Sequence, residues 1–550
     1  MNTNKSSSNL ARFGKTIKWT TIAGVIIFAG LYYYVALPPI NIHSSGTWSF
    51  IFLIIAVVLV VLMFRKRNMK PAEIKKEFKK NGPIKYVFWL LAASVIVFII
   101  GSILSSPIVN AKKYQELMTV QEGNFTEDIT ELSFDKIPLL DRDTAELLGD
   151  RKMGSMVDMV SQFEADSIYS QINYADNPVR VTPLKYASAI KWMTNFGDGI
   201  PAYIRINMAT QNTELVKLSE GMRYTQADHF GRNIYRYLRF AHPTYIYGEL
   251  SFEIDEEGVP YYVAPVKKFN IGLFGGETIG RVVLCNAITG ELEDYPIEDV
   301  PQWIDRAYSA DLLMKLFDYY GTLKHGFFNS IFSQRDCLET TSGYNYLAID
   351  DDVWMYTGVT SVNGDQSNVG FVLSNLRTME TRYYTCEGAT ETSAMSSAEG
   401  QVQDLAYTAT FPLLLNISGE PTYFLVLKDA AGLVKKYAMV NVQKYQVVGI
   451  GDSVNACRQN YLELMLSSGD MVIAEDTREV KTARGIVETA AGVVLGGNTH
   501  YYIMLANSDA IYDFPVMDFP EIVGIKEGDS VTIEYKEGGS VSTAVSITEK

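Results

Sequence analysis

The sequence predicts a membrane α-helical anchor of three spans, then an α+β exterior domain with helix-and-hairpin repeats and a C-terminal small all-β barrel. Three observations predict this. Three long segments near the N-terminus lack Asp, Glu, Lys and Arg, a helix-then-hairpin pattern recurs in the middle, and the last hundred residues are short strands punctuated by glycine.

A bilayer core of about 30 Å needs roughly 20 apolar residues in a helix. Residues 19–37, 48–64 and 86–106 meet this without a charged face, which a soluble helix would need toward water. Trp19, Trp48 and Trp89 fall at or near segment ends, with Tyr32, Tyr33 and Tyr34, as in an aromatic belt. The spans carry no intramembrane charge of the kind that marks transport pathways, so anchoring is preferred over a pore.

Loops rich in Lys and Arg stay cytoplasmic. The tail, residues 1–18, holds Lys5, Arg12, Lys15 and Lys18, and the inner loop 65–85 holds nine more cations, whereas the ten-residue connection between the first two segments has none. The expected topology in the plasma membrane has a cytoplasmic N-terminus and everything from about residue 107 extracytoplasmic. Residues 1–106 carry 13 Lys/Arg against two acids, a net of +11, which leaves −26 for the remainder of a chain at −15. Such acidity repels nucleic-acid phosphates, so no nucleic-acid partner is expected.

All four cysteines, Cys285, Cys337, Cys386 and Cys457, lie in the exterior part. One or two disulfides and buried free thiols are both compatible with their spacing, and no Cys-x-x-Cys signals a metal knuckle.

Residues 107–180 read as a juxtamembrane helical stalk, with a helix over Asp141–Phe163. Two α+β units follow, at 181–345 and 346–449. In the first, a helix over 227–240 precedes a strand with Phe252 and Ile254, a turn, and a second strand from Pro260; in the second, a helix over 390–405 precedes Phe411–Asn416, a turn, and a strand from Pro421. Both hairpins carry Gly-x-Pro-x-Tyr, as Gly258, Pro260 and Tyr262, and as Gly419, Pro421 and Tyr423. Glycine supplies the positive φ of the tip, proline begins a strand without owing a ladder donor, and tyrosine favours strands.

Helix, strand, Gly-x-Pro-x-Tyr, strand and a closing Arg281–Leu292 segment with Thr289-Gly290-Glu291 together resemble a PepSY domain, while the second unit lacks the Thr-Gly turn. The resemblance covers about a third of the chain and implies a small α/β fold used in bacterial envelopes for binding, chaperoning or inhibition rather than catalysis. Residues 450–550 contain Val472-Ile473-Ala474, Gly485-Ile486-Val487, His500–Leu505, Ala510-Ile511-Tyr512 and Val531–Tyr535, separated by Gly496-Gly497, Gly528 and Gly538-Gly539, a pattern expected of an OB or SH3-like barrel.

Catalytic signals are sparse. The run Gly272–Gly280 lacks the Lys-Ser/Thr of a phosphate loop and reads as a hairpin turn. Asp141, Asp143 and Asp150, the run Asp350-Asp351-Asp352, the Gly197-Asp198-Gly199 corner, and His229, His242, His325 and His500 read as solvated or structural rather than as metal ligands, and no cofactor is expected. Asn124 and Asn416 fit the N-glycosylation pattern. The expected function is a non-enzymatic membrane-anchored envelope protein that touches membrane lipid and binds another membrane or envelope protein as adaptor or scaffold, with self-association compatible. The alternative is an envelope hydrolase whose carboxylate pair is assembled by folding, with His325 and Asp351 as guesses.

Overall fold

The computed structural model describes residues 22–64, 83–129, 131, 136–349, 351–362, 367–467, 480–495, 498–506, 508, 510–516, 519–536 and 541–549. The expected tail, the first three residues of the first span, most of the basic loop, Asp350, Val472-Ile473-Ala474, Gly496-Gly497 and Gly538-Gly539 lie outside the described residues.

Among the described residues, two helices are long and apolar enough to cross a membrane, α2 (Ser45–Phe64) and α3 (Pro83–Leu104), with mean hydropathies of 2.9 and 2.7. Only 6% of either span is buried against protein, which separates them from the core helices of a soluble fold. The helix α1 (Ile22–Ala36), within the expected first span at 19–37, is apolar but shorter, so its described residues are not long enough to count as a span. Pro107 then opens α4 (Pro107–Gln115), its fixed φ suiting the first helical turn.

The chain forms two compact units, residues 1–391 with 413–420, and residues 392–412 with 421–550. In the first unit, β1 (Val120–Glu122) and the single turn α5 (Phe125–Asp128) precede three copies of one motif, a helix followed by an antiparallel meander. The first copy is α6 (Arg142–Gly154), β2 (Phe163–Ala165), β3 (Ser170–Tyr174), β4 (Asn177–Tyr186), the inserted helix α7 (Ala189–Asn195), β5 (Ile200–Asn207) and β6 (Thr213–Met222). The second is α8 (Ile234–Ala241), β7 (Ser251–Ile254), β8 (Pro260–Ile271), β9 (Gly275–Asn286) and β10 (Leu292–Pro296). The third is α9 (Ala310–Thr322), β11 (Leu338–Thr340), β12 (Asn345–Ile349), β13 (Asp352–Ser361), β14 (Ser367–Asn375) and β15 (Thr381–Ala389), with β1 added in parallel to β15. A fourth copy runs on through α10 (Glu391–Gln401), β16 (Thr408–Ala409), β17 (Leu413–Ile417), β18 (Glu420–Lys428), β19 (Val434–Asn441) and β20 (Val448–Gly451). The segment expected to be a stalk thus carries the opening half of the first copy.

Equivalence of the four is visible bond by bond. A residue of positive φ makes the tip of each first hairpin, at Asp176, Gly258, Asp351 and Gly419. Two positions on stand Pro178, Pro260, Val353 and Pro421, whose carbonyls accept from the N–H of Met208 (2.9 Å), Ala287 (2.9 Å), Leu376 (3.0 Å) and Val442 (3.2 Å). Each of those donors follows an asparagine, Asn207, Asn286, Asn375 or Asn441, and the asparagine Oδ1 accepts from the second and third N–H groups after it. This Asx turn satisfies main-chain donors where the strand ends and the chain reverses.

Helix α9 places Leu313, Leu316 and Phe317 in one core with Val263 and Leu284 of the second meander and Met355 and Val372 of the third. In the second unit, α11 (Val454–Ser467) lies on β19 and β20, and a Cβ at Gly449 would stand 2.5 Å from Tyr461, so only glycine admits this approach. The barrel strands β21 (Val480–Leu495), β22 (Asn498–Leu505), β23 (Ile511–Pro515), β24 (Ser530–Lys536) and β25 (Ser542–Glu549) close in the order β21-β22-β23-β25-β24, with β23 and β25 parallel. Between β23 and β24 a 3-10 turn, Pro520–Gly524, places Ile522 in the barrel core.

Candidate functional site

The ends of the apolar helices and one hairpin tip of the second meander build the site with the most specific geometry. The tip joining β8 to β9 is the glycine-rich run. Ser105, just after α3, accepts at its Oγ from the N–H groups of Leu273 (2.8 Å) and Phe274 (3.1 Å), while donating to the Gly101 carbonyl (2.6 Å). From the α1–α2 connection, His43 Nδ1 lies 2.8 Å from the Leu273 carbonyl. The connection between the first two helices and the exit of the third therefore meet on one tip. Phe274 packs on Phe98 of α3 and Trp48 of α2, with ring centroids 5.0 Å and 6.3 Å apart.

The glycines of the run follow from this fit. Gly272 has φ of +60° and a Cβ there would lie 2.4 Å from Ser105 Oγ, and a Cβ at Gly275 would lie 2.2 Å from the Ser105 carbonyl oxygen. A Cβ at Gly101 would meet Leu273 at 2.6 Å. Glycine here permits close approach of a helix end, a demand unrelated to phosphate.

Helix α8 docks on the end of α1. Arg236 Nε donates to the Tyr34 carbonyl (3.2 Å) and its guanidinium stacks 4.3 Å from the Tyr34 ring centroid, while Arg239 Nε donates to the Leu37 carbonyl (2.9 Å). Arg236 and Phe240, one turn apart, both face Tyr34. Between α8 and α1 lies a cleft of 490 Å³ lined by Val35, Leu37, Asp228, Arg236 and Arg239 among others. Asp228 is buried, and its carboxyl is pushed up to about 6 by that burial, held back by hydrogen bonds from Thr225 Oγ1 (2.9 Å) and Trp192 Nε1 (3.2 Å).

A second polar cluster sits where the first three meanders meet. Glu253 accepts from Ser251 Oγ (2.6 Å) and from the Asp305 N–H (2.9 Å), and Asp305 in turn accepts from the Asn173 N–H (2.7 Å). Both carboxyls are almost fully buried, and burial raises both, with Glu253 pushing Asp305 further. Among the described residues Asp305 Oδ1 has no hydrogen-bond partner of good geometry. Neither acid lines the neighbouring 210 Å³ cleft, which presents Glu249, Lys267, Glu277 and Arg306.

The acidic run is dispersed by its own hairpin. Asp351 takes the positive-φ tip and accepts from Asn173 and Gln302 side chains, whereas Asp352 turns inward to a bidentate pair with Arg377 (2.7 and 2.8 Å). Asp141 caps α6 by accepting from the Thr144 N–H (2.9 Å), and Gly199 makes the expected corner at φ of +82°. Among the described residues no group of three His, Cys, Asp or Glu could hold a metal ion. His325 pairs with Asp336 (3.0 Å) and lies apart from Asp351, and His500 pairs with Asp513 (2.8 Å) across β22 and β23, on the face opposite the barrel core.

The Gly-x-Pro-x-Tyr residues are structural. Gly258 and Gly419 turn their hairpins, Pro260 and Pro421 enter the long strands, and Tyr262 and Tyr423 are fully buried. Cys285, Cys337 and Cys457 are free thiols, and Cys386 is buried as well. Asn416 is buried with its amide on the Ile129 carbonyl (2.7 Å), a position closed to a glycan, whereas Asn124 caps α5. Sequence reasoning missed Ser105, His43 and Arg236, because their partners lie far along the chain. No protein-family model matches the chain, and no curated protein is significantly similar to it.

Proposed function

We propose that this chain is a plasma-membrane protein of the cell envelope in which PepSY-like modules are held at the outer bilayer surface as a platform for another membrane or envelope protein. The carrying observation is the Ser105–Leu273–Phe274 clamp, which fastens the meanders to the helix ends instead of leaving them on a flexible linker. Four copies of one small α/β motif suit a binding surface, as repeats do elsewhere. The barrel order, with parallel β23 and β25, supports the OB kind over the SH3-like kind. The absence of Lys and Arg from the α1–α2 connection, on the side of the clamp, supports an extracytoplasmic assignment for the meanders.

The Glu253–Asp305 pair favours a hydrolase. Its seclusion from the adjacent cleft weighs against that reading, since a catalytic acid must reach the proton it moves. Mild crosslinking in native membranes, followed by purification of the full-length protein and identification of its companions, tests the platform reading. A reproducible envelope partner on the meanders or barrel supports it; turnover of a peptide or glycan substrate, abolished by Asp305→Asn, overturns it.

A further inference from the structure

We propose that the meander domain lies against the bilayer, with two aromatic prongs entering the headgroup region on either side of the helix exits. This rests on the reading of α2 and α3 as membrane spans. The first prong is Ile190 and Met193 of α7 with Phe196 and Phe230, all exposed. Trp192 holds it together, its ring 5.2 Å from Phe196 and 5.8 Å from Phe230. The second is Phe328, Ile331 and Phe332, of which Phe332 is 79% exposed.

Continuity with the helices identifies the occupant. The Phe230 carbonyl accepts from Arg236 (2.7 Å), the same guanidinium that binds the Tyr34 carbonyl at the end of α1. Tyr32, Tyr33 and Tyr34 are the aromatic belt, so Phe230 stands one side chain away from the level at which such belts meet headgroups. On the other side, Tyr114 donates to the Ser105 carbonyl (2.6 Å) at the exit of α3 and packs with Ile271, Leu323 and Phe327, and Phe328 follows directly.

Both prongs stand on strained backbone. Phe230 has φ of +52°, unusual for a bulky residue, although its side chain is left in the open. The second prong is a π-helical turn, Asn329–Ser333, closed by Gln334 at φ of +49°. Strain of this kind is retained where the position of a side chain has a use. Charge agrees with a lipid surface. Lys191 and Arg232 flank the first prong, whose nearby acids are Asp198 and the buried Asp228, and Lys324, His325 and Arg335 gather round Asp336 beside the second, on an exterior part that is otherwise strongly acidic. Apolar side chains rimmed by cations are what an anionic leaflet accepts.

The test uses the full-length chain in vesicles of zwitterionic and anionic phospholipid. Single cysteines at Phe230, Phe332 and, within α3, Ile96 are labelled with an environment-sensitive fluorophore; the native cysteines are buried. Shallow nitroxide lipids should quench the labels at 230 and 332 by about half or more, and deep nitroxide lipids the label at 96. Unquenched, water-like emission at 230 and 332 with deep quenching at 96 overturns the prongs while the spans stand. Labels at 230 and 332 that are shielded without lipid quenching assign the surface to a protein and overturn the proposal too. Failure of quenching at 96 overturns the spanning reading itself, and the prongs with it.

Discussion

Ser105 holds Leu273 by a bond between residues 168 positions apart, its hydroxyl taking the N–H of the hairpin tip while its own proton goes to Gly101 one helical turn back. Because the hydroxyl also takes the Phe274 N–H, Ser105→Ala strands two half-buried donors, each costing about 1–3 kcal/mol. Amide exchange at Leu273 and Phe274 should accelerate in vesicles and the melting temperature should fall, with Ser105→Thr restoring both. Unchanged exchange in the alanine variant would deny the clamp its role.

The four asparagines do equal work in their turns, but Asn375 has a second task. Its Nδ2 donates to Asp352 (2.8 Å) in a buried site, so Asn375→Ala should cost about 1–3 kcal/mol more than Asn207→Ala, whose loss is confined to the turn, at about 1 kcal/mol. Urea unfolding monitored at the tryptophans measures the difference. Equal losses would remove the distinction.

Acid should stabilise the junction of the meanders. An acid whose folded pKa lies above its unfolded value of about 3.9 binds more protons in the native state, so stability is full below about pH 4 and falls as pH rises toward the folded pKa. Asp305 is raised well above the ordinary range by burial and by Glu253, and for Asp228 the window runs from about 4 up to about 6. Asp305→Asn keeps an acceptor for Asn173 and removes the buried charge. The variant should be at least as stable as the parent at pH 7 and lose less stability between pH 4 and 7. A variant less stable than the parent at pH 7 would show that the charge is needed.

Arg377 and Asp352 form a bidentate pair with both groups mostly shielded. Removing the cation leaves a carboxylate in a poorly solvated place, so Arg377→Met should cost about 3–5 kcal/mol and Arg377→Met with Asp352→Asn markedly less. Additive losses in calorimetry would mean that the pair carries no coupling.

What could be read from the chain was what announces itself locally. The two long apolar helices needed only an absence of charge, and the hairpins at Gly258 and Gly419 needed only glycine at a positive φ. Two further copies stayed hidden because Asp176 and Asp351 fill the same left-handed position, which aspartate tolerates, and Val353 stands where three copies have proline. The signal that would have exposed them is Asn followed by a buried apolar residue and, two positions later, Thr or Lys, as in Asn207-Met208-Ala209-Thr210 and Asn375-Leu376-Arg377-Thr378. The clamp and the Glu253–Asp305 pair left no such trace, since their members come from different elements and no period links them.

The strands β8 and β9 are twelve residues each, about 40 Å at roughly 3.3 Å per residue. One end of this ribbon is clamped to Ser105, and the other supplies Val263 and Leu284 to the core shared with α9. It is a spoke fixed at hub and rim. A tilt of the helices by a few degrees displaces the far end of such a spoke by roughly 2 Å, more than a close-packed core absorbs without repacking. If α2 and α3 cross a bilayer as proposed, its thickness and the packing of α9 are joined in one mechanical coordinate.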